Sequence, residues 1–481
     1  MILSSRNSAT RTLAALAALA SACLAQAQGG PLGSDSAIPA TPAPVGSGAR
    51  AAGMGNTFVA IADDATAVSW NPAGLVQLEE PEFSIVGQYL WTGDDFTSWH
   101  DPEANGEHSF DNFDLNFLSF VYPVPRPVWN RNLVLSLSYQ KRYDFTRNLD
   151  ANLHTSQSAF GGLFLRQDTT LDFDQEGSLG AISLAAAYEI TNTLSVGVAL
   201  NLWRDTFIEE SGWQQETTVN SRFTAGSALS FSRGYSREEY ENFRGENLTL
   251  GALWRANDKW TLGLRYETAF TGDVDYDAVD WDLRIVPNPL QPFVSNFAIT
   301  RERREVRFPD TLALGVAYRR NDRLTFALDI SRTDWNDLTV KTGRGDTFSL
   351  VDGADLGNPY RRTHFDPTYA VRLGTEYAFI PKQRGETLDH LWTLRGGVFM
   401  EQEPASGRSS RNFFRPGDGN ADEFYGVAAG LGLLLKQRVN IDLSYQYRWG
   451  SGVNGDLNPG VIGFDADEDS HRIMLSTVIY F

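Results

Sequence analysis

The chain is poor in the residues from which metal sites, disulfide frameworks and membrane helices are built. It has one cysteine, Cys23, close to the N-terminus, so no internal disulfide holds the fold. Its six histidines, His100, His108, His154, His364, His390 and His471, are scattered without metal-ligand spacing. No metal, no cofactor and no enzyme activity is expected. His471 near Asp467, Glu468 and Asp469 is the one cluster on which a barrel hydrolase could be built. Two acidic runs, Asp418–Glu423 and Asp465–Asp467, offer oxygen atoms to calcium but match no complete loop pattern; a solvated loop is the plainer reading. Positive charge is scarce as well: 41 Lys and Arg stand against 60 Asp and Glu, a formal net charge of -19. A nucleic-acid partner needs a basic surface and is excluded. No apolar run approaches ~18 residues, so no transmembrane helix is predicted. A mean hydropathy of -0.30 fits a soluble protein, and equally a membrane β-barrel whose lipid-facing and lumen-facing residues alternate.

What is present begins with a secretory signal over residues 1–27. Arg6 and Arg11 give a basic start, Leu13–Leu24 an apolar run, and Ala25-Gln26-Ala27 a small-x-small cleavage site. Removing the two arginines takes the net charge from -19 to -21 (-19 - 2). Ala20-Ser21-Ala22-Cys23 leaves lipoprotein processing as the alternative. Residues 28–47 are a flexible leader rich in Gly, Pro, Ala and Ser.

From Glu82 to Phe481 the pattern is period-two alternation in fourteen segments, from Glu82–Trp91 to Ser470–Phe481, the eighth being Ala298–Arg319. In Val439–Trp449, Val439, Ile441, Leu443, Tyr445, Tyr447 and Trp449 alternate with Asn440, Asp442, Ser444, Gln446 and Arg448. Apolar residues facing lipid and polar ones facing a lumen account for both sets. Trp91, Trp203, Trp254, Trp260, Trp335 and Trp449 fall at segment ends, as at water–lipid boundaries. Short links such as Thr191-Asn192-Thr193, Asn257-Asp258 and Asn321-Asp322 alternate with long polar stretches, read as loops, such as Phe145–Gly177 and Thr206–Gly245. An even strand number with short turns on one side predicts an all-β fold: a transmembrane antiparallel β-barrel of about fourteen strands. A soluble sandwich would need fewer strands per domain, and no linker follows Glu82.

Residues 48–81 fit no strand. Small residues, including Gly53 and Gly55, let backbones pack closely; the acidic pair Asp63-Asp64 and the turn Asn71-Pro72-Ala73-Gly74 suit a compact hatch in the lumen. This segment, the hairpin from Phe308-Pro309-Asp310 to Asp334-Trp335, the strand Trp392–Val398 leading to Pro404, and a terminal strand ending on Phe481 together resemble the FadL/TodX family of outer-membrane transporters for long-chain fatty acids and aromatic hydrocarbons.

The resemblance implies passive uptake of a hydrophobic molecule, most of all a long-chain fatty acid, at the outer membrane of a Gram-negative bacterium. It also implies capture by extracellular loops and lateral exit under control of the hatch. Its implied partners are the outer-membrane lipid bilayer, the hydrophobic ligand and the barrel insertion machinery, which would read Phe481. Related barrels that bind protein partners in a secretion system are the alternative. Phe96, Trp99, Phe160 and Trp213, with Phe110, Phe164, Phe223, Phe231, Phe293, Phe413 and Phe414, are aromatic residues of the outer stretches and form the capture candidates; their other reading is loop-on-loop packing. Inside, Arg265, Arg372, Arg395 and Arg448 share inward parity with Glu267, Glu376 and Asp442. One of them meets a ligand carboxylate, or all form a ladder of ion pairs that fixes plug and wall, to which Arg50, Asp63 and Asp64 dock.

Overall fold

A computed structural model describes residues 43–44, 46–98, 105–159, 163–225, 228–285, 294–351, 355–357, 366–380, 389–404, 421–453 and 464–481. Fourteen antiparallel strands form the wall: β1 (Glu82–Ser98), β2 (Gly106–Pro123), β3 (Leu133–Asp144), β4 (Leu163–Thr191), β5 (Leu194–Trp203), β6 (Ala228–Arg255), β7 (Trp260–Glu267), β8 (Thr311–Asn321), β9 (Leu324–Thr333), β10 (Thr368–Ala378), β11 (His390–Glu403), β12 (Asp422–Leu435), β13 (Val439–Val453) and β14 (Phe464–Tyr480). Each pairs with the next, and β1 pairs with β14 from Glu82↔Tyr480 to Ser98↔Phe464, which closes the cylinder. The short turns and the end of the chain share one rim, where the Phe481 N–H donates to the Pro81 carbonyl at 3.0 Å.

Alternation sets the two faces. On β13, Leu443, Tyr445 and Trp449 are exposed while Asp442, Ser444 and Gln446 are buried. On β7, Trp260, Leu262, Leu264 and Tyr266 all point out. An apolar outer surface beside a polar interior is the arrangement that hydrocarbon outside and water-accessible protein inside require. No helix among the described residues is long and apolar enough to cross a membrane.

Three features differ from the sequence expectations. The eighth segment is two strands: Val294–Phe308 rises outside the cylinder, and β8 starts afresh at Thr311 after Pro309, whose missing N–H interrupts a ladder. The stretches 145–177 and 206–245 are largely sheet. The upper parts of β4 and β6 extend beyond the wall and pair with Arg147–Ala159, Gly212–Ala225 and Phe270–Ile285, which in turn pairs with Val294–Phe308. Trp203 and Trp335 are buried inside and occupy no lipid boundary. They belong to an aromatic cluster under this extension, in which Trp203 stacks on Phe270 at 4.8 Å and Phe308 stacks on Phe270 at 5.1 Å and on Tyr143 at 5.0 Å. Each such pair contributes about 0.5–1.5 kcal/mol beyond its burial.

Inside the cylinder lies the N-terminal segment. Two short helices, α1 (Ala49–Gly53) and α2 (Ala67–Trp70), precede a 3-10 turn over Pro72–Gln77. Asn71 starts that turn, its side chain accepting from the Ala73 N–H, and Pro72 takes the first position, where no N–H is needed.

Candidate functional site

Gly46–Leu78 touches the wall all the way round, by two kinds of contact. From β5 to β12 the wall meets it with glycines. Three cross-strand pairs, Gly197↔Gly251, Gly263↔Gly315 and Gly374↔Gly397, form a band of bare backbone. A Cβ on Gly251 would lie 2.9 Å from the Ala73 nitrogen, one on Gly315 2.9 Å from the Ala60 nitrogen, and one on Gly374 2.5 Å from the Met54 oxygen. On β12, a Cβ on Gly430 would lie 2.9 Å from the Gly53 Cα. Backbone therefore rests on backbone at a distance no other residue permits. On β9 the Asp329 carboxylate accepts from the Phe58 and Val59 N–H groups at 2.6 and 2.8 Å. Asn71 donates to the Val59 carbonyl at 2.8 Å and to the Ala252 carbonyl at 3.0 Å, tying segment and wall together. A Cβ on Gly74 would overlap the Ala62 backbone, so the Asn-Pro-Ala-Gly turn also packs the segment on itself.

From β13 round to β3 the contacts pass through side chains. Gln446 donates to the Ala52 carbonyl at 2.8 Å, the Ala49 N–H donates to Ser476 at 2.7 Å, Asn116 donates to the Gly46 carbonyl at 3.2 Å, and Ser69 donates to Gln140 at 2.5 Å. Val86 of β1 and Phe117 of β2 pack on Ala49 and Ala52.

The four inward arginines expected from parity are all engaged. Arg265 and Arg142 both pair with Glu267; Arg372 pairs with Glu401 at 2.7 Å; Arg395 bridges Glu376 and Asp442, each at 2.6 Å; Arg448 pairs with Glu403 and with Glu468, the latter at 2.9 Å. Arg50 extends the ladder into the segment: it pairs with Asp63 and Asp64 and reaches Glu376 at 2.9 Å. Burial pushes the Asp64 carboxyl above its usual range, against the pull of Arg50 and the Thr66 hydroxyl.

Among the described residues, the pairing of neighbouring wall strands is cut short between β2 and β3. β2 and β3 pair only from Phe117↔Gln140 to Pro123↔Val134. Beyond that level the ladder stops, although β2 continues along β1 and β3 along β4. Both strands carry an irregularity just there, opposite Val86/Gly87 on one side and at Lys141/Tyr143 on the other, and bulges of this kind bend a strand away from its neighbour. Lys141, buried between Asp114 at 2.8 Å and Asp144 at 2.9 Å, spans the seam, and Ala43–Pro44 pairs with its β3 side at Tyr143–Asp144.

Against the segment and near this seam lies a cavity of about 270 Å³. Its lining mixes apolar groups (Leu90, Phe110, Tyr143, Trp335, Phe399) with the charged groups of the ladder (Arg265, Arg372, Arg448, Glu401, Glu403).

The aromatic capture candidates are dispersed. Phe96 and Trp213 are buried, Trp213 against Tyr240 at 4.4 Å and Phe145 at 4.8 Å, so neither offers a surface. Phe231 is exposed on the extension and Phe110 lines the cavity. Trp99, Phe160, Phe293, Phe413 and Phe414 lie outside the described residues, as does the side chain of Phe164. His471 sits among Trp91, Tyr445 and Tyr447, its Nδ1 2.6 Å from the Tyr445 hydroxyl. Phe481 is largely exposed at the rim. Sequence reading missed the glycine band of the wall, although Gly at inward parity in seven strands was visible.

A closed apolar-faced β-cylinder with an occupied lumen defines an outer-membrane barrel. The chain belongs to the outer membrane protein transport family (OMPP1/FadL/TodX), whose profile matches residues 46–458. It is 22% identical over 446 residues to a long-chain fatty acid transport protein of Escherichia coli O6:H1 strain CFT073, covering 88% of this chain and 91% of that one. In fold it is similar to a Pseudomonas aeruginosa FadL homologue (TM-score 0.54, 14% identity, 92% of this chain and 100% of that one). It is similar also to the Pseudomonas putida toluene transporter TodX (TM-score 0.52, 16% identity, 91% and 99%). The family is one of outer-membrane transporters of fatty acids and hydrocarbons, not of enzymes, and the protein is accordingly an outer-membrane β-barrel. The reading as a protein-binding secretion subunit is not favoured.

Proposed function

We propose that the protein takes up hydrophobic molecules passively, long-chain fatty acids first among them, and releases them sideways through the seam between β2 and β3. The observation that carries this is the loss of β2–β3 pairing above Phe117↔Gln140, at a wall whose neighbouring lumen holds a part-apolar cavity. An apolar solute is poorly accommodated by a water-filled pore, and a short path from a sheltered cavity to lipid spares it full hydration. The lumenal segment Gly48–Leu78, through Gly53, Gly55, Asp63, Asp64 and the Asn71-Pro72-Ala73-Gly74 turn, acts as the hatch that sets access to the seam. Exposed aromatic residues of the extension, such as Phe231, supply the first contact. The fatty-acid transporter among the relatives supports the choice of ligand. The toluene transporter similar in fold makes a neutral arene the second ligand to try.

The test is uptake of radiolabelled oleate by cells lacking their own transporter, with and without this protein, beside a hydrophilic sugar. Protein-dependent oleate entry without sugar entry is expected. Sugar entry alone would show a general pore and overturn the reading.

A further inference from the structure

A second cavity, of about 410 Å³, lies outside the lumen on the sheet that extends beyond the wall. Five neighbouring strands build it: Arg147–Ala159, the upper part of β4, Gly212–Ala225, the upper part of β6, and Phe270–Ile285. Two rungs of directly paired residues line it, Asn152, Thr170, Asn220 and Arg233 on one and His154, Asp168 and Arg222 on the next. Their parity is that of the exposed Asp172, Asp174 and Glu216, not of the buried Leu171, Phe173 and Trp213. On β6 this face runs on into the lipid-facing Leu248, Leu250 and Trp254. The bulge at Asn242, where φ is 56°, shifts the pairing between Asp273 and Asp275 and so keeps the outward side outward. The face therefore looks sideways above the lipid, where the saccharide chains of an outer leaflet stand.

The chemistry of the cavity differs from that of the face below it. Nearer the barrel the exposed residues are acidic, with Asp150, Asp172, Asp174 and Glu216 on adjoining strands. In the cavity Asp168 is committed to His154 and, at 3.0 Å, to Arg166. Arg222 and Arg233 are exposed and make no ion pair among the described residues. Arg233 lies over the Trp281 ring at 5.7 Å, and Trp281 stacks on Tyr235 at 5.6 Å, giving an aromatic platform on the barrel side of the cavity. A sugar ring offers an apolar C–H face and a rim of adjacent hydroxyls. Aromatic rings cover the first, and planar amide and guanidinium groups match the second.

We propose that this cavity binds the anionic saccharide chain of a neighbouring lipopolysaccharide molecule. Arg222 and Arg233 meet its phosphate or carboxylate groups by parallel N–H···O bonds, Asn152 and Asn220 meet its hydroxyls, and the Tyr235–Trp281 pair covers a ring face. The acidic stretch below repels the same anions, which confines binding to the cavity. The site is independent of what the lumen carries.

The experiment uses the full-length protein purified in detergent. The probes are the polysaccharide released by mild acid from lipopolysaccharide of the bacterium that makes the protein, the lipid A left behind, and neutral dextran. Binding is measured for the wild type and for the Arg222→Met/Arg233→Met double variant, with folding checked by heat-modifiable migration on gels. The wild type should bind the polysaccharide at least about tenfold more tightly than dextran, and the double variant should lose that margin. The single substitutions, both at exposed positions, are read in the same way should the double variant fail to fold. Polysaccharide that does not bind, dextran that binds equally well, or variants that keep the wild-type margin would each overturn the assignment. So would lipid A binding in place of the polysaccharide, which would put the contact on the apolar wall.

Discussion

The lumenal segment is held against two different walls. Along β5–β12 it lies mainly on glycine backbone, with Asp329 gripping two N–H groups and Glu376 and Ser195 adding side-chain contacts; along β13–β3 it is met by Gln446, Ser476, Asn116 and Gln140 side chains. Backbone-on-backbone contact has one geometry, because nothing can rotate to relieve it. Side chains have rotamers and leave room between them, and the seam opens in this second half. A fixed seat opposite an adjustable one is what a segment needs if it is to shift on one side without leaving the barrel.

Five substitutions would break or sharpen that contrast. The largest effect is expected from Lys141→Met, which strands Asp114 and Asp144 without their cation; breaking a buried pair this way costs ~3–5 kcal/mol. The barrel should lose heat resistance on gels and its oleate uptake should change, whereas unchanged values of both would show that the ion pairs do not hold the seam. Gly251→Leu comes next, since overpacking costs about 1–3 kcal/mol and the displaced atoms belong to the Asn71 side chain, the Ala73 nitrogen and the Pro72 ring. The segment should be unseated, so that trypsin cuts at Arg50 and single-channel conductance rises; a protected Arg50 with wild-type conductance would count against the rigid seat. Asp329→Ala leaves two buried N–H groups unpaired at ~1–3 kcal/mol each, so Arg50 should be cleaved faster than in Gln446→Ala, where a single bond of about 0.5–1.5 kcal/mol is lost. Equal cleavage in the two variants would erase the distinction between the walls. Smallest is Gly396→Ala: its added Cβ meets nothing closer than 3.9 Å, so heat resistance should stay within ~0.5 kcal/mol of wild type. A large loss there would mean that wall glycines matter for reasons other than the seat.

Much of the fold was legible from alternation alone. The segments around Trp260–Tyr266 and Leu443–Trp449 fell on their proper faces because lipid outside and polar lumen inside impose a strict period of two. The extension was not read as sheet, though Leu171 and Phe173 alternate with Asp172 and Asp174 and the first two are buried. Its charged composition suits a loop equally well, and what makes it strand is pairing with residues far along the chain. The inward arginines were found by parity, but which acid each of them met depended on where Glu267, Glu376, Glu401 and Glu403 came to rest. Phe96 and Trp213 failed as exposed aromatics for the same reason: exposure belongs to the packed extension and not to residue type.

By itself, then, the sequence determined a barrel with its faces, its even strand number and a small-residue segment ahead of it, since these follow from local period and residue size. Only the tertiary structure decided where β2 and β3 part, which glycines seat the segment and which acid each inward arginine meets. Each of these is a relation between strands distant in the chain, fixed by register and closure, which no local pattern encodes.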